Sequence, residues 1–321
     1  MSTVDVHLTD TTLLDELRKD VREGLTADPK WLSPKYFYDA VGSELFEQIT
    51  VLPEYYPTRT ERALIEEHAL DIARATESSM LIELGSGSSE KTKLLLSAGI
   101  EHGSLRTYVP QDVSSTALEG AIEQISKEFR TLELHGIVSD FTDTLHNLPS
   151  GTGRTIAFLG GTLGNLIPQE REEFLAAVAD ALEPGEFLLL GVGLVIDPDV
   201  LVPAYDDAAG VTADFNRNIL RVINAELGAD FVPEAFSHVA RWNAEHEWIE
   251  MRLRATAAQE VYLQDLDLHV HFESGEDLRT EISAKFRPDG IAGELKMAGF
   301  DVLHLWSDAD SRFALILAGR V

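Results

Sequence analysis

The stretch IELGSGSSEKT, Ile82 to Thr92, decides how this chain is read. The apolar run SMLIEL (79–84) leads into glycines at 85 and 87 and then into an amphipathic stretch, as where a strand turns sharply into a helix. Counted from Gly85, the pattern is one residue from the phosphate-binding GxxxxGK[ST] loop, because Glu90 stands where glycine is needed before Lys91 and Thr92. Counted from the same glycine it opens like the dinucleotide pattern GxGxxG, and Glu90 again takes the third glycine's place. Both motifs hold phosphate on converging backbone N–H groups at a helix N-terminus, and a carboxylate there opposes that ligand.

Outward from this loop, short apolar runs alternate with amphipathic stretches: RTYVP (106–110), a helix from about Ser115, LELHGIVSD (132–140), RTIAFLG (154–160), a helix from about Pro168, and EFLLLGVG (186–193). The first helix is expected from about Ser89. Alternating strands and helices predict right-handed crossovers and a parallel, doubly wound sheet. The C-terminus adds a helix closed by Gly299 and two strands, DVLHLWS and SRFALILAG, joined by a turn at 308–310. A terminal antiparallel hairpin departs from an ordinary dinucleotide fold and matches class I methyltransferases.

The expected fold is therefore α/β, a Rossmann-like class I methyltransferase sheet over 62–196 and 287–321, with a second α+β substrate-binding domain from 1–61 and 197–286. That second domain is expected to be lid-like over the carboxyl ends of the strands, where open α/β sheets bind ligands.

S-adenosylmethionine resolves the conflict at Glu90, since it carries no phosphate. Gly85 and Gly87 let the backbone pass close to the adenosyl group, Lys91 can reach the methionine carboxylate, and Glu90 is free to favour the helix N-terminus. Asp112, ending the second strand, suits the ribose hydroxyls. Asp140 and Phe141, ending the third, suit the adenine amino group and ring. An aspartate after a strand is often only a turn or cap residue; such groups at the ends of successive strands point to one ligand.

Bulk composition narrows the partners. The 321 residues contain 26 Lys plus Arg against 55 Asp plus Glu, a net charge of −29, which opposes nucleic acid and anionic membranes. Without cysteine there is no disulfide, thiolate nucleophile or Cys-containing zinc site. His269 and His271 share a strand face but lack a third ligand, so no metal is expected. The N-terminus lacks an apolar signal segment, and the apolar run FLLLGVGLVI (187–196) is too short to span a bilayer. A soluble, cytoplasmic monomer is expected.

Six blocks, KYFYDAVGSELFEQIT, LPEYYPTRTE, ELGSGSSEKT, FLGGTLGN, YDDAAGVTADFNRN and TEISAKFRP, carry a resemblance over nearly the whole chain. The sequence resembles the bacterial L-histidine N-alpha-methyltransferases of ergothioneine biosynthesis. The resemblance implies conversion of L-histidine to its trimethylated betaine, hercynine, by three molecules of S-adenosylmethionine. It implies that the donor contacts Tyr38, Gly85, Lys91, Asp112, Asp140 and Phe141. The acceptor carboxylate falls to Asn165 and Tyr205, its amino end to Gly160, Thr162 and Tyr38, and its imidazole to Tyr55, Glu281 and Ser283, with Ile282 between. Tyr38 is the expected proton-handling residue.

The residues themselves agree. Asn165 and a tyrosine hydroxyl offer neutral donors to a carboxylate, and Glu281 and Ser283, at i and i+2 of RTEISAKF, share one face of a strand. Tyr36 and Tyr56 read equally well as core residues. Two departures stand out: Gly161 replaces a small hydroxyl residue, and GVGLVID puts Gly193 and Ile196 where related sequences tend to show the acid and lysine of GxDLxKD. The alternatives are an N-methyltransferase for another free amino acid, such as a tryptophan derivative, and a non-catalytic homologue that binds donor and amino acid.

Overall fold

The computed structural model describes residues 2–87, 89–141 and 145–321; Ser88 of the glycine loop lies outside them. The chain divides into two compact units, one of Met1–Thr9, Thr60–Val195 and Phe286–Val321, the other of Asp10–Arg59 and Ile196–Lys285. The elements begin with β1 (Ser2–Val6), α1 (Asp10–Thr26), α2 (Ala40–Thr50), α3 (Tyr56–Thr76), β2 (Met80–Leu84), α4 (Thr92–His102), β3 (Thr107–Asp112) and α5 (Ser115–Glu128). They continue with β4 (Glu133–Val138), β5 (Arg154–Phe158), α6 (Pro168–Ala181), β6 (Phe187–Gly193), α7 (Pro198–Tyr205) and α8 (Val211–Leu227). Five strands follow, β7 (Phe236–Asn243), β8 (Trp248–Ala255), β9 (Gln259–Leu263), β10 (Leu268–Phe272) and β11 (Asp277–Ala284), then α9 (Pro288–Met297), β12 (Phe300–Ser307) and β13 (Phe313–Arg320).

The first unit is built on one eight-stranded sheet in the order β1-β4-β3-β2-β5-β6-β13-β12. Pairing is parallel from β1 to β6 and antiparallel for β6–β13 and β13–β12. Ile82, Ile156, Phe158, Leu188 to Leu190 and Leu315 to Leu317 are fully buried. Burial on both faces is why these strands read as continuous apolar runs rather than alternating ones. The order reverses beside β2, so β2, β3 and β5 end at a topological switch point, the ligand edge of such sheets. Residues 1–9 differ from expectation: Ser2–Val6 pairs in parallel with β4 and joins the sheet unit, not the second domain. A five-residue edge strand has no periodicity of its own and is defined only by its pairing.

The second unit holds the antiparallel sheet β11-β8-β7, the hairpin β9–β10 and helices α1, α2, α7 and α8. Its core includes Val21, Phe37, Phe215, Ile219, Ile249 and Phe272. The β11–β8 register shifts between Arg279 and Glu281, after which Glu281, Ile282 and Ser283 sit opposite Met251, Glu250 and Ile249. The bulge at Thr280 sets which way the next residues point. Glu281 and Ser283 share the face of Met251 and Ile249, and Ile282 turns to the other.

Candidate functional site

The loop after β2 is tied to the ends of the neighbouring strands. Gly85 and Gly87 have φ of 66° and 50°, a region that favours glycine. The N–H of Gly85 donates to Oε1 of Gln111 at 3.2 Å, and that of Gly87 donates to Oδ2 of Asp112 at 2.9 Å. The Gln111 amide nitrogen in turn donates to the Ser139 carbonyl at the end of β4. Among the described residues a Cβ on Gly87 would meet nothing within 4 Å, and one on Gly85 only Phe141 at 3.9 Å, so those residues leave the loop's outer side open. Backbone conformation, not crowding, calls for these glycines.

The donor-site candidates border this opening. Oδ1 of Asp112 accepts the Ser114 N–H at 3.0 Å. Burial pushes its carboxyl up, while the backbone donors of Ser114 and Gly87 pull it back. Each oxygen keeps a lone pair for a further donor. Asp140 is buried after β4, and Phe141 packs edge-on against Phe158 and Phe174, with centroids at 5.0 and 5.8 Å. An adenosyl group with two ribose hydroxyls fits this arrangement of two carboxyl groups, one ring and an open glycine loop.

Beneath the loop lies a carboxylate that the sequence reading did not single out. Glu83 is buried and accepts hydrogen bonds from the hydroxyls of Thr92 and Tyr108. Burial raises its carboxyl to about 7, against those hydrogen bonds and the nearby Lys91 charge. Ser89, at φ 54°, is pinned by its hydroxyl on Tyr108 at 2.9 Å, so α4 starts at Thr92 instead of Ser89. Glu90 stays exposed and pairs with Lys93 at 2.5 Å. The first turn of α4 is therefore flanked by two carboxyl groups, a poor seat for phosphate.

Lys91 is held by Glu61, a buried residue of α3. Oε1 of Glu61 accepts the Gly160 N–H at 2.7 Å, while Oε2 takes the Lys91 ammonium. Gly160 and Gly161, after β5, have φ of 83° and 72°, and the Thr162 hydroxyl donates to the Leu159 carbonyl at 3.0 Å. Asn165 ends the short 3-10 helix Thr162–Asn165 and is half-buried. Glu61 thus links the β5 loop to the lysine expected to meet the donor's carboxylate.

The remaining candidates fall in the second unit. Tyr38 is 40% exposed, with its ring edge-on to Phe46 and Phe215 at 5.6 and 5.8 Å. Next to it, Oδ1 of Asp39 accepts from the Gly42 N–H and the Asn218 side-chain amide, both at 2.7 Å. Phe215 and Asn218 of the FNRN block therefore hold the Tyr38 segment. Tyr36 and Tyr56 are core residues.

Tyr55 lies edge-on to Tyr205 at 6.1 Å. Burial, then the neighbouring Tyr205, Tyr38, Glu281 and Tyr56, push its phenol upward, so it serves as a neutral hydroxyl. Tyr205 Oη lies 2.8 Å from Ser283 Oγ, and the buried Lys285 ammonium donates to both, at 2.7 and 2.8 Å. Half-buried Glu281 has its carboxyl raised to about 7 by burial, with Lys285 opposing the shift. The sequence reading named only neutral donors here; the structure adds a lysine whose ammonium sits on the Tyr205 hydroxyl.

A polar chain fixes this group from behind. His238 Nε2 donates to the Tyr205 carbonyl at 2.8 Å, its Nδ1 accepts from Asn216 at 2.8 Å, and Asn216 Oδ1 accepts from Thr280 at 2.6 Å. The end of α7 and the bulge of β11 are thereby held in one register. His269 and His271 are engaged elsewhere, stacked on Tyr262 and paired with Glu260.

Residues 17–320 match the family model described as histidine-specific methyltransferase, SAM-dependent. The chain is similar to the histidine N-alpha-methyltransferase of Mycolicibacterium smegmatis, 50% identical over 314 residues that cover 98% of each chain. It is equally similar to that of Mycobacterium tuberculosis, 50% identical over 304 residues and 95% of each chain. Ergothioneine biosynthesis protein 1 of Neurospora crassa is 33% identical over 205 residues, 62% of this chain and 23% of that one.

Proposed function

The chain belongs to the SAM-dependent, histidine-specific methyltransferase family, and from that premise we propose that it methylates the α-amino nitrogen of free L-histidine three times. The product is hercynine, the betaine on the route to ergothioneine. The observation that carries this reading is 50% identity along 98% of both chains to a histidine N-alpha-methyltransferase. No helix among the described residues is long and apolar enough to cross a membrane.

In this reading Gly85, Asp112, Asp140, Phe141 and Lys91 hold the donor. Asn165, Tyr205, Tyr55, Glu281 and Ser283 hold histidine, with Ile282 shaping the strand between, and Tyr38 serves both ligands. S-adenosylmethionine supplies an electrophilic methyl group on a sulfonium. The residues' main contribution is alignment, bringing a neutral amine into line with the carbon–sulfur bond. The nitrogen must shed a proton before each of the next two attacks, and the Tyr38 hydroxyl, relaying that proton to water, is the residue assigned to it. Gly160, Gly161 and Thr162 leave room as methyl groups accumulate, and tyrosine ring faces tolerate the quaternary cation.

The test is the mass of the product from histidine and S-adenosylmethionine. A species heavier by three methylene equivalents is expected. Binding of both ligands with no methylated product would identify a non-catalytic homologue, and preferential methylation of tryptophan would reassign the substrate. The same measurement decides whether Gly193 and Ile196 leave turnover intact.

A further inference from the structure

Lys285 has no role in the reading above, although it is 6% exposed and bonds to two of the acceptor candidates, Tyr205 and Ser283. Its Nζ lies 2.7 Å from Tyr205 Oη, 2.8 Å from Ser283 Oγ and 4.8 Å from the centre of the Tyr205 ring. Burial pushes its ammonium towards neutrality, and the charges of Tyr56 and Glu281 resist this. A purely structural lysine would cap a carbonyl or pair with an acid. This one donates to two hydroxyls that themselves touch, at 2.8 Å.

Counting hydrogens shows the consequence. An ammonium has three donors and no acceptor, and each hydroxyl has one hydrogen. When Lys285 donates to both oxygens, neither hydroxyl needs to accept from a ligand. One hydroxyl hydrogen is free to point outward while the other spans Tyr205 and Ser283, and both are free once that bond opens. Without the ammonium the two hydroxyls must satisfy each other, and the outward one can accept as easily as donate.

We propose that Lys285 is a specificity-determining positioning residue, which makes Tyr205 and Ser283 hydrogen-bond donors to the bound amino acid. Tyr205 then donates to the carboxylate and Ser283 to the unprotonated ring nitrogen, while Glu281 accepts from the ring N–H. Together they select one neutral tautomer of imidazole and refuse imidazolium and indole, neither of which has a bare ring nitrogen. The Thr280 bulge serves this arrangement, since Glu281, Ser283 and Lys285 follow it at alternate positions.

This inference rests on the histidine reading, and the test separates the two. Histidine with isotope-labelled ring nitrogens is bound to the full chain in the presence of S-adenosylhomocysteine, at slightly alkaline pH, and followed by nitrogen NMR. In the unaltered protein, one protonated and one bare, hydrogen-bonded nitrogen are expected. In Lys285→Met the two tautomers should mix, and KM for histidine should rise about tenfold to a hundredfold with kcat changed far less. Bound imidazolium in the unaltered protein would overturn the proposal, a measurement that does not depend on the variant folding. A folded Lys285→Met protein keeping the single tautomer and an unchanged KM would also overturn it. If no ring signal moves in the unaltered protein, the histidine reading itself fails, and the proposal with it.

Discussion

A Cβ on Gly191 would overlap Oε1 of Glu61, so the Glu61 carboxylate occupies space on strand β6 that any side chain at 191 would take. The same oxygen accepts the Gly160 N–H, and its partner oxygen holds Lys91. Gly191→Ala should therefore push Glu61 off both, though residue 191 touches no assigned ligand. Overpacking of this kind lowers stability by about 1–3 kcal/mol. Calorimetry should show donor affinity reduced by at least about tenfold, the loss of one charge-assisted hydrogen bond. Unchanged affinity in a folded variant would detach Glu61 from the donor site.

Asp112 gives a sharper test of the donor assignment. Both its oxygens already accept backbone N–H groups, from Gly87 and Ser114. Asp112→Asn keeps the shape but turns an amide nitrogen towards one of those donors and removes the charge assigned to the ribose. S-adenosylmethionine binding should weaken about tenfold to a hundredfold, and the glycine loop should lose hydrogen-exchange protection. If donor affinity survives, the aspartate is only a loop residue.

What the sequence revealed depended on whether a signal was local. The parallel strands were legible because burial on both faces writes itself as apolar runs such as FLLLGVG. The shared face of Glu281 and Ser283 was legible from strand alternation, because both lie after the bulge. The bulge itself left no mark, since Thr280 is as ordinary in a strand as in a bulge. Lys285, two residues from a serine and four from an acid, reads as a surface partner until packing shows it buried. Glu61 stands in a helix beside Arg59 and Arg62, and only the distant Lys91, Gly160 and Gly191 account for its burial. Likewise the start of α4 was missed because a serine at positive φ replaces the expected first turn.

Buried carboxyls set a pH dependence whose sign follows from the direction of their shifts. Glu83 is raised from 4.5 to about 7, so the folded state binds its proton more tightly than the unfolded chain. Its contribution to stability is full below about 4.5 and is lost as pH rises through 7. Glu281 behaves in the same direction. His238, lowered by burial, adds an opposing term, stability lost as pH falls below about 6.5. A difference isolates Glu83: between about pH 5 and pH 8, Glu83→Gln should gain on the order of 2 kcal/mol relative to the unaltered protein. Parallel melting curves across that range would show that Glu83 is not protonated in the fold.

Tyr38 separates proton handling from binding. Its ring is fixed by Phe46 and Phe215, and its segment by Asp39 and Asn218, so Tyr38→Phe removes only the hydroxyl and leaves the ring contacts in place. If the hydroxyl takes the proton released between rounds, kcat should fall by about a hundredfold while KM for histidine stays within a few-fold. The loss should appear mainly after the first transfer, because the later rounds each require a newly formed ammonium to be neutralised. Mono- and dimethylated histidine should then accumulate, and single-turnover mass spectrometry would resolve them. Equal losses in kcat and in histidine affinity, with no build-up of intermediates, would make Tyr38 a binding residue and move the proton to solvent.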